Sequence, residues 1–323
     1  MDAGTTAEKA STVSPVASDA TTMLPVTALV CTRNRGDSML AAVASLLRSD
    51  YPEFEVLVVD QSTNDETARA IAPYLECERL RYLRSSTRGL GRARNIGIAA
   101  AKYDIVVMTD DDCEVPPDWL RHMVACFAHP NVAVAYCNVL AAPHDSHVGF
   151  VPDYVRQGEQ LLTRVRDKCR PDGIGAGMAV RRPFIEALGG FDEMLGAGAR
   201  FTAYEDVDIA LRALLRGYYV FETDRTAVIH FGFRTLEEGR DLTSRNYYGI
   251  GAGLGKLIKC GQWRVLPVLC YVFWHAIMAP CLTHLIRLRK PPVLRRFLGL
   301  IRGMYHAMRM PVDRSRLQFG RER

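Results

Sequence analysis

At 323 residues, 48% of them hydrophobic and 24% charged, the chain can bury the core of one large domain or two, which excludes a wholly disordered protein. Nine cysteines, an odd number with no Cys-x-x-Cys pair, argue against a disulfide framework and against a zinc site, and suit free thiols in a reducing cytoplasm. The net charge of +5 is uneven: from Arg287 to Arg323 the chain is crowded with arginines, opposed only by Asp313 and Glu322, so an anionic partner is expected.

Residues 1–24 read as a disordered N-terminal tail rich in Ala, Thr and Ser, with no apolar run that would make a signal peptide. From Val26 onward, short β-branched runs alternate with amphipathic patterns, as in a mostly parallel sheet covered by helices on both faces. Strands are expected at Val26–Val30, Phe54–Val59, Leu80–Leu83, Asp104–Thr109 and Val132–Tyr136, and helices at Ser38–Arg48, Thr63–Tyr74 and Leu90–Ala100. Asp37 or Ser38 and Ser62 or Thr63 are the expected N-caps. Farther on, the pattern predicts a helix near Tyr154–Val165, a glycine-rich patch at Gly173–Gly177, an acidic-led helix Glu205–Arg216, and strands Tyr218–Phe221 and Ala227–His230.

Asp110, Asp111 and Asp112 follow an apolar run directly, which places three carboxylates at the C-terminal end of a buried strand, where open α/β sheets bind ligands. Adjacent like charges are costly unless a cation or polar loop offsets them, so a divalent cation is one reading and a solvated turn or helix cap is the other. Two phosphate-loop readings fail on spacing. In Gly249-Ile-Gly-Ala-Gly-Leu-Gly-Lys256, Ile250 stands where the first glycine is needed and Leu257 where magnesium needs a hydroxyl, so close helix packing is the better account of these small residues. After the first strand, Cys31-Thr-Arg-Asn-Arg-Gly36 lacks the dinucleotide fingerprint, which removes the main support for hydride transfer.

Val265–Ile286 is uncharged and mostly apolar; as one helix it would reach roughly 33 Å, about a bilayer core. A single crossing would put the arginine-rich tail on the opposite side from the N-terminal part, against the positive-inside tendency, so a monotopic or re-entrant arrangement is expected. Pro292–Tyr305 alternates arginine with large apolar side chains, as an interfacial helix on an anionic membrane surface does. That alternation also makes nucleic acid an unexpected partner.

Taken in order, Ala28-Leu-Val-Cys-Thr-Arg-Asn-Arg35, Val56-Leu-Val-Val-Asp-Gln-Ser62, Arg88-Gly-Leu-Gly-Arg-Ala-Arg-Asn-Ile-Gly97, the acidic triplet, Gly189-Gly-Phe-Asp-Glu193 and Ala203-Tyr-Glu-Asp-Val-Asp208 resemble the family-2 inverting glycosyltransferases of GT-A fold. The resemblance covers Pro25 to about Arg234 and implies an α/β, Rossmann-like fold, to which the apolar and basic segments add a helical, membrane-associated C-terminal region. It divides the chain into a nucleotide-sugar half (25–140), an acceptor half (141–260) and the C-terminal region (261–323). It further implies that Thr32, Arg33 and Asp60 border the nucleoside, Asp60 accepting from a base N–H although Gln61 stands where the family carries another acidic residue.

By the same resemblance Arg88, Arg94 and Arg234 face the diphosphate, Asp111 faces ribose or backbone donors, and Asp110, Asp112 and His230 hold Mn²⁺ or Mg²⁺, the nitrogen ligand favouring Mn²⁺. Asp206 is the expected base, with Glu205 raising its proton affinity. The implied activity is metal-dependent inverting transfer of a sugar from a nucleotide-diphosphate sugar, and the apolar C-terminal stretch adds the expectation of a lipid-linked or polysaccharide acceptor at the cytoplasmic face of the inner membrane. A silent nucleotide-sugar-binding scaffold and a sugar nucleotidyltransferase are the rival readings.

Overall fold

The computed structural model describes residues 23–169, 174–286 and 293–320. Most of the expected tail, Gly173 of the glycine patch, and residues 287–292 and 321–323 of the basic segment lie outside them.

Four parallel strands, β1 (Val26–Thr32), β2 (Phe54–Asp60), β3 (Leu80–Arg84) and β4 (Ile105–Asp110), form one half of the central sheet in the order β3-β2-β1-β4. Helices α1 (Gly36–Leu47), α2 (Glu66–Ile71) and α3 (Leu90–Ala100) connect them. These strands are apolar on both sides because both faces are covered: Leu29 of β1 enters one core, Ala28 and Val30 the other. All five expected strands and the α1 and α3 segments are present. The expected caps are not: α1 starts at Gly36 and α2 at Glu66, and neither has a side-chain cap bond. Ser62 is taken instead by the turn after β2, where its hydroxyl receives the Asn34 N–H at 2.7 Å.

The chain continues through β5 (Cys113–Glu114), α4 (Trp119–Ala125), β6 (Val132–Ala141), β7 (Gly149–Phe150), β8 (Gln160–Leu162) and β9 (Met178–Arg181), all of these strands joining the central sheet except β7, which pairs outside it with residues 234–235. β9 lies antiparallel between β4 and β6, and β10 (Tyr219–His230) runs parallel to β6. The two strands expected near 218 and 227 are thus one, broken by an irregularity between Glu222 and Ala227. The helix expected over Tyr154–Val165 does not form. Tyr154 instead bridges Val139, and β8 pairs with β10, whose free edge offers more hydrogen bonds than an isolated helical turn.

Helix α5 (Arg182–Ala187) leads to α6 (Glu205–Leu215), and β11 (Arg234–Thr235) to α7 (Leu236–Lys259). Then follow α8 (Leu266–Phe273), a π turn at Trp274–Met278, α9 (Ala279–Ile286) and α10 (Leu294–Arg309). The glycines of the 249–256 run are packing surfaces, as their spacing suggested. A Cβ on Gly251 would lie 2.1 Å from the Leu300 carbonyl oxygen, and one on Gly303 2.1 Å from that of Tyr248, so α7 and α10 touch backbone to backbone. On the other side, a Cβ on Gly253 would lie 2.3 Å from the ring of Tyr204, the residue before α6.

Candidate active site

Because β1, β2, β4, β6 and β10 all point the same way, Thr32, Asp60, Asp110 and His230 end at one edge of the sheet. The acidic triplet stands there with its side chains pulled in three directions. Asp110 Oδ1 is 3.6 Å from Arg94 Nη2. Asp111 accepts from Thr32 Oγ1 at 2.6 Å and Arg35 Nη1 at 3.1 Å. Asp112 accepts from Arg35 Nη1 at 2.5 Å and lies 3.3 Å from His230 Nε2. The chain turns after β4, so Asp111 does not simply point opposite its neighbours as an extended strand would have it.

The surroundings shift the three acids differently. Burial pushes Asp111 up to about 6 despite the Thr32 bond and Arg35. Burial acts the same way on Asp112, but His230 and Arg35 overcome it and hold that carboxyl down at about 2. Asp110 is raised, by burial above all, with Arg94 opposing.

His230 Nδ1 lies 2.8 Å from the Pro152 carbonyl, an acceptor only, so that nitrogen carries the proton and Nε2 is the one presented to Asp112. Donor atoms of Asp112, Cys113 and His230 lie within 4.8 Å of one another. This fits a divalent cation: a carboxylate held ionised beside an imidazole oriented by a carbonyl. Asp110 stands outside that group, with the buried Arg94 3.6 Å away.

Asp206 and Glu205 open α6. Asp206 Oδ2 receives the Gly175 N–H at 3.0 Å, Oδ1 receives the Val207 N–H at 2.8 Å, and its carbonyl receives the Tyr136 hydroxyl at 2.6 Å. Glu205 is buried and bonded to Arg94 Nη1 at 3.2 Å; burial first, then Asp206, push it up to about 7 against the pull of Arg94. Asp208 faces the interior, 2.7 Å from Lys256 Nζ and 2.9 Å from Arg212 Nε, which fastens α6 to α7.

Three residues expected at the donor are held by partners within the protein. Asp60 is 0% exposed, with one oxygen receiving the Ser62 N–H at 2.7 Å and the other the Tyr82 hydroxyl at 2.6 Å, so it shapes the loop floor and has no surface to offer a base. Arg94 is 2% exposed and committed to Glu205 and Asp110, so it does not face a diphosphate. Thr32 is likewise spent on Asp111. Arg33 and Arg88 are exposed, and Arg234 is partly exposed with Nη1 on the Phe233 carbonyl. Sequence reasoning missed Arg35 and Cys113. Arg35 lay inside a quoted motif, yet its acidic partners are 76 and 77 residues away.

The sequence model of glycosyl transferase family 2 matches residues 27–189. The chain belongs to that family. Its α/β fold is that of the GT-A glycosyltransferases. It superposes on the mannosyltransferase PcManGT from Pyrobaculum calidifontis, solved with GDP-Man and Mn²⁺, with a TM-score of 0.61 at 21% identity, over 91% of this chain and 90% of that one. It also superposes on S. aureus TarS 1-349 in complex with UDP-GlcNAc with a TM-score of 0.60 at 16% identity, over 87% of this chain and 79% of that one. In sequence it is 36% identical to the succinoglycan biosynthesis protein ExoO of Rhizobium meliloti over 100 residues, 31% of this chain and 28% of ExoO. It is 27% identical to the beta-monoglucosyldiacylglycerol synthase of Synechocystis over 207 residues, 59% of this chain and 40% of the synthase. The matches span less than half the length of these curated relatives.

Proposed function

We propose that this family-2 glycosyltransferase is metal-dependent and inverting, and moves a sugar from a nucleotide-diphosphate sugar to a lipid-linked or polysaccharide acceptor at the cytoplasmic face of the inner membrane. The observation that carries the reading is the opposition of Asp112 and His230 at the sheet edge to Asp206 at the start of α6, with Arg94 joining the two sides through Asp110 and Glu205. Asp112 and His230 would hold Mn²⁺ or Mg²⁺, and the bound ion would supply neutralisation of the charge that grows on the leaving diphosphate. Arg35, aimed at Asp111 and Asp112, adds positive charge to the same corner.

Asp206 takes the proton from the acceptor hydroxyl as its oxygen attacks the anomeric carbon from the face opposite the leaving group. The backbone donors on both of its oxygens orient the carboxylate. GDP-Man in one structural relative and UDP-GlcNAc in the other support a nucleotide-sugar donor without selecting its base. The glycolipid synthase and the succinoglycan protein among the relatives support a lipid or polysaccharide acceptor.

The membrane part of the reading rests on Trp263–Thr283, a 21-residue apolar helical stretch long enough to cross a bilayer and mostly not buried against the rest of the protein. Beside it α10 shows solvent Leu294, Phe297, Leu298, Ile301, Tyr305 and Met308, spaced as one face of a helix.

The test is a panel of nucleotide sugars with Mn²⁺ or Mg²⁺, comparing the native chain with Asp206→Asn and Asp112→Asn and reading the anomeric configuration of product by NMR. Transfer with inversion, lost in both variants, is expected. No turnover of any nucleotide sugar, retention of configuration, or full activity in Asp206→Asn would overturn the reading.

A further inference from the structure

The spacing of cysteines along the chain argued against a zinc site, but folding creates a neighbour for Cys113 that spacing does not show. β5 and β10 pair antiparallel with Cys113 directly opposite His230, which sets the two side chains on one face of the sheet. The pairing is clamped beside them by the Phe231 N–H on the Asp112 carbonyl at 2.8 Å. The thiol, the imidazole and the Asp112 carboxylate therefore converge, their donor atoms within 4.8 Å. Gly232 keeps the approach open: a Cβ there would lie 2.5 Å from His230 Nε2 and 3.0 Å from Asp112 Oδ2.

We propose that Cys113 makes this centre selective by softness: Zn²⁺ or Co²⁺ is bound by Asp112, Cys113 and His230 together, whereas Mg²⁺ or Mn²⁺ uses Asp112 and His230 and leaves the sulfur aside. A neutral thiol is a poor ligand for hard ions, which prefer oxygen, while zinc and cobalt take thiolate with imidazole and carboxylate readily. Coordination releases the thiol proton to solvent; one thiolate and one carboxylate then balance the dication. Zinc is thereby an inhibitor that displaces the harder ion. The inference rests on the reading of Asp112 and His230 as the cation site.

The test is anaerobic titration of the full-length chain with Co²⁺. Visible d–d bands report occupancy of the site, and a near-ultraviolet sulfur-to-cobalt charge-transfer band reports thiolate ligation. Both are expected in the native chain, and Cys113→Ser is expected to lose the charge-transfer band. In competition followed by the Mn²⁺ EPR signal, Cys113→Ser should lower the ratio of Zn²⁺ to Mn²⁺ affinity by roughly tenfold or more. Zinc X-ray absorption on the native chain, where one sulfur scatterer is expected beside nitrogen and oxygen, gives an answer even if the variant does not fold. Visible bands without charge transfer, a charge-transfer band that survives in Cys113→Ser, or a zinc shell without sulfur overturns the role of Cys113 and leaves the cation site standing. Absence of any cobalt binding removes the cation site itself and this inference with it.

Discussion

Arg94 and Glu205 are separated by 111 residues of chain and by 3.2 Å in space. The same guanidinium reaches Asp110 at 3.6 Å, so one buried cation sets the distance between the sheet edge and the start of α6. Removing one partner of a buried pair leaves the other charge without compensation, a cost of about 3–5 kcal/mol. Arg94→Met is therefore expected to destabilise the fold by about that amount and to abolish transfer, while the double variant Arg94→Met/Glu205→Gln recovers much of the stability. Chemical denaturation of the four proteins of this cycle checks it. A double-variant loss equal to the sum of the two single-variant losses would show that the pair does not couple.

Glu205 gives the pH dependence. Its folded-state value, about 7, is above the ordinary 4.5, so between these values the folded chain holds a proton that the unfolded chain has lost. The contribution of this group is thus most favourable below 4.5 and declines as pH rises toward 7. Glu205→Gln is expected to flatten that decline: melting temperatures measured from pH 5 to pH 8 should fall less steeply in the variant than in the native chain. A parallel pair of curves would refute the assignment.

Much of the nucleotide half was legible because its strands are short, apolar and regularly spaced, and because the acidic triplet follows β4 without a gap. The rest depended on partners far along the chain. Nothing near Arg35 announces Asp112 and nothing near Cys113 announces His230, and arginine is so commonly a surface residue that Arg94 read as a phosphate contact and not as a buried link. β9 was hidden because its neighbours β4 and β6 supply its pairing, and α7 because glycines of low helix propensity fill its second half. Those glycines are retained in a helix for what they touch.

Tyr204 shows what that contact does. It is buried at φ +84°, a left-handed conformation costly for a residue with a side chain, and it is the residue from which Glu205 and Asp206 depart. Its ring rests on Gly253, so Gly253→Ala should push the ring and the first turn of α6 together. We expect a fall in kcat of about tenfold or more with little change in donor KM, since misplacement of a catalytic group by about 1 Å costs on the order of 100-fold. Tyr204→Phe should keep activity, because the hydroxyl has no partner among the described residues. Loss of activity in Tyr204→Phe, or full kcat in Gly253→Ala, would break the link between α7 and the base.

The exposed face of α10 is the most direct test of the membrane reading. Phe297, Leu298 and Ile301 are 37%, 47% and 45% exposed, while Gly299 and Gly303 on the other side are buried against α7, so the outer face can be changed without touching the helix interface. Arg295 and Arg302 flank that face and are exposed, which suits an anionic headgroup layer. Leu298→Asp/Ile301→Asp should reduce flotation with phosphatidylglycerol-containing vesicles by about tenfold while leaving the melting temperature near that of the native chain, because surface changes away from packed contacts usually shift stability by less than about 0.5 kcal/mol. Replacing Arg295 and Arg302 with Gln should weaken binding to anionic vesicles more than to neutral ones, and raised salt should remove that difference. If the double aspartate variant floats as well as the native chain, α10 is not the membrane-facing surface, and the apolar stretch Trp263–Thr283 must carry attachment alone.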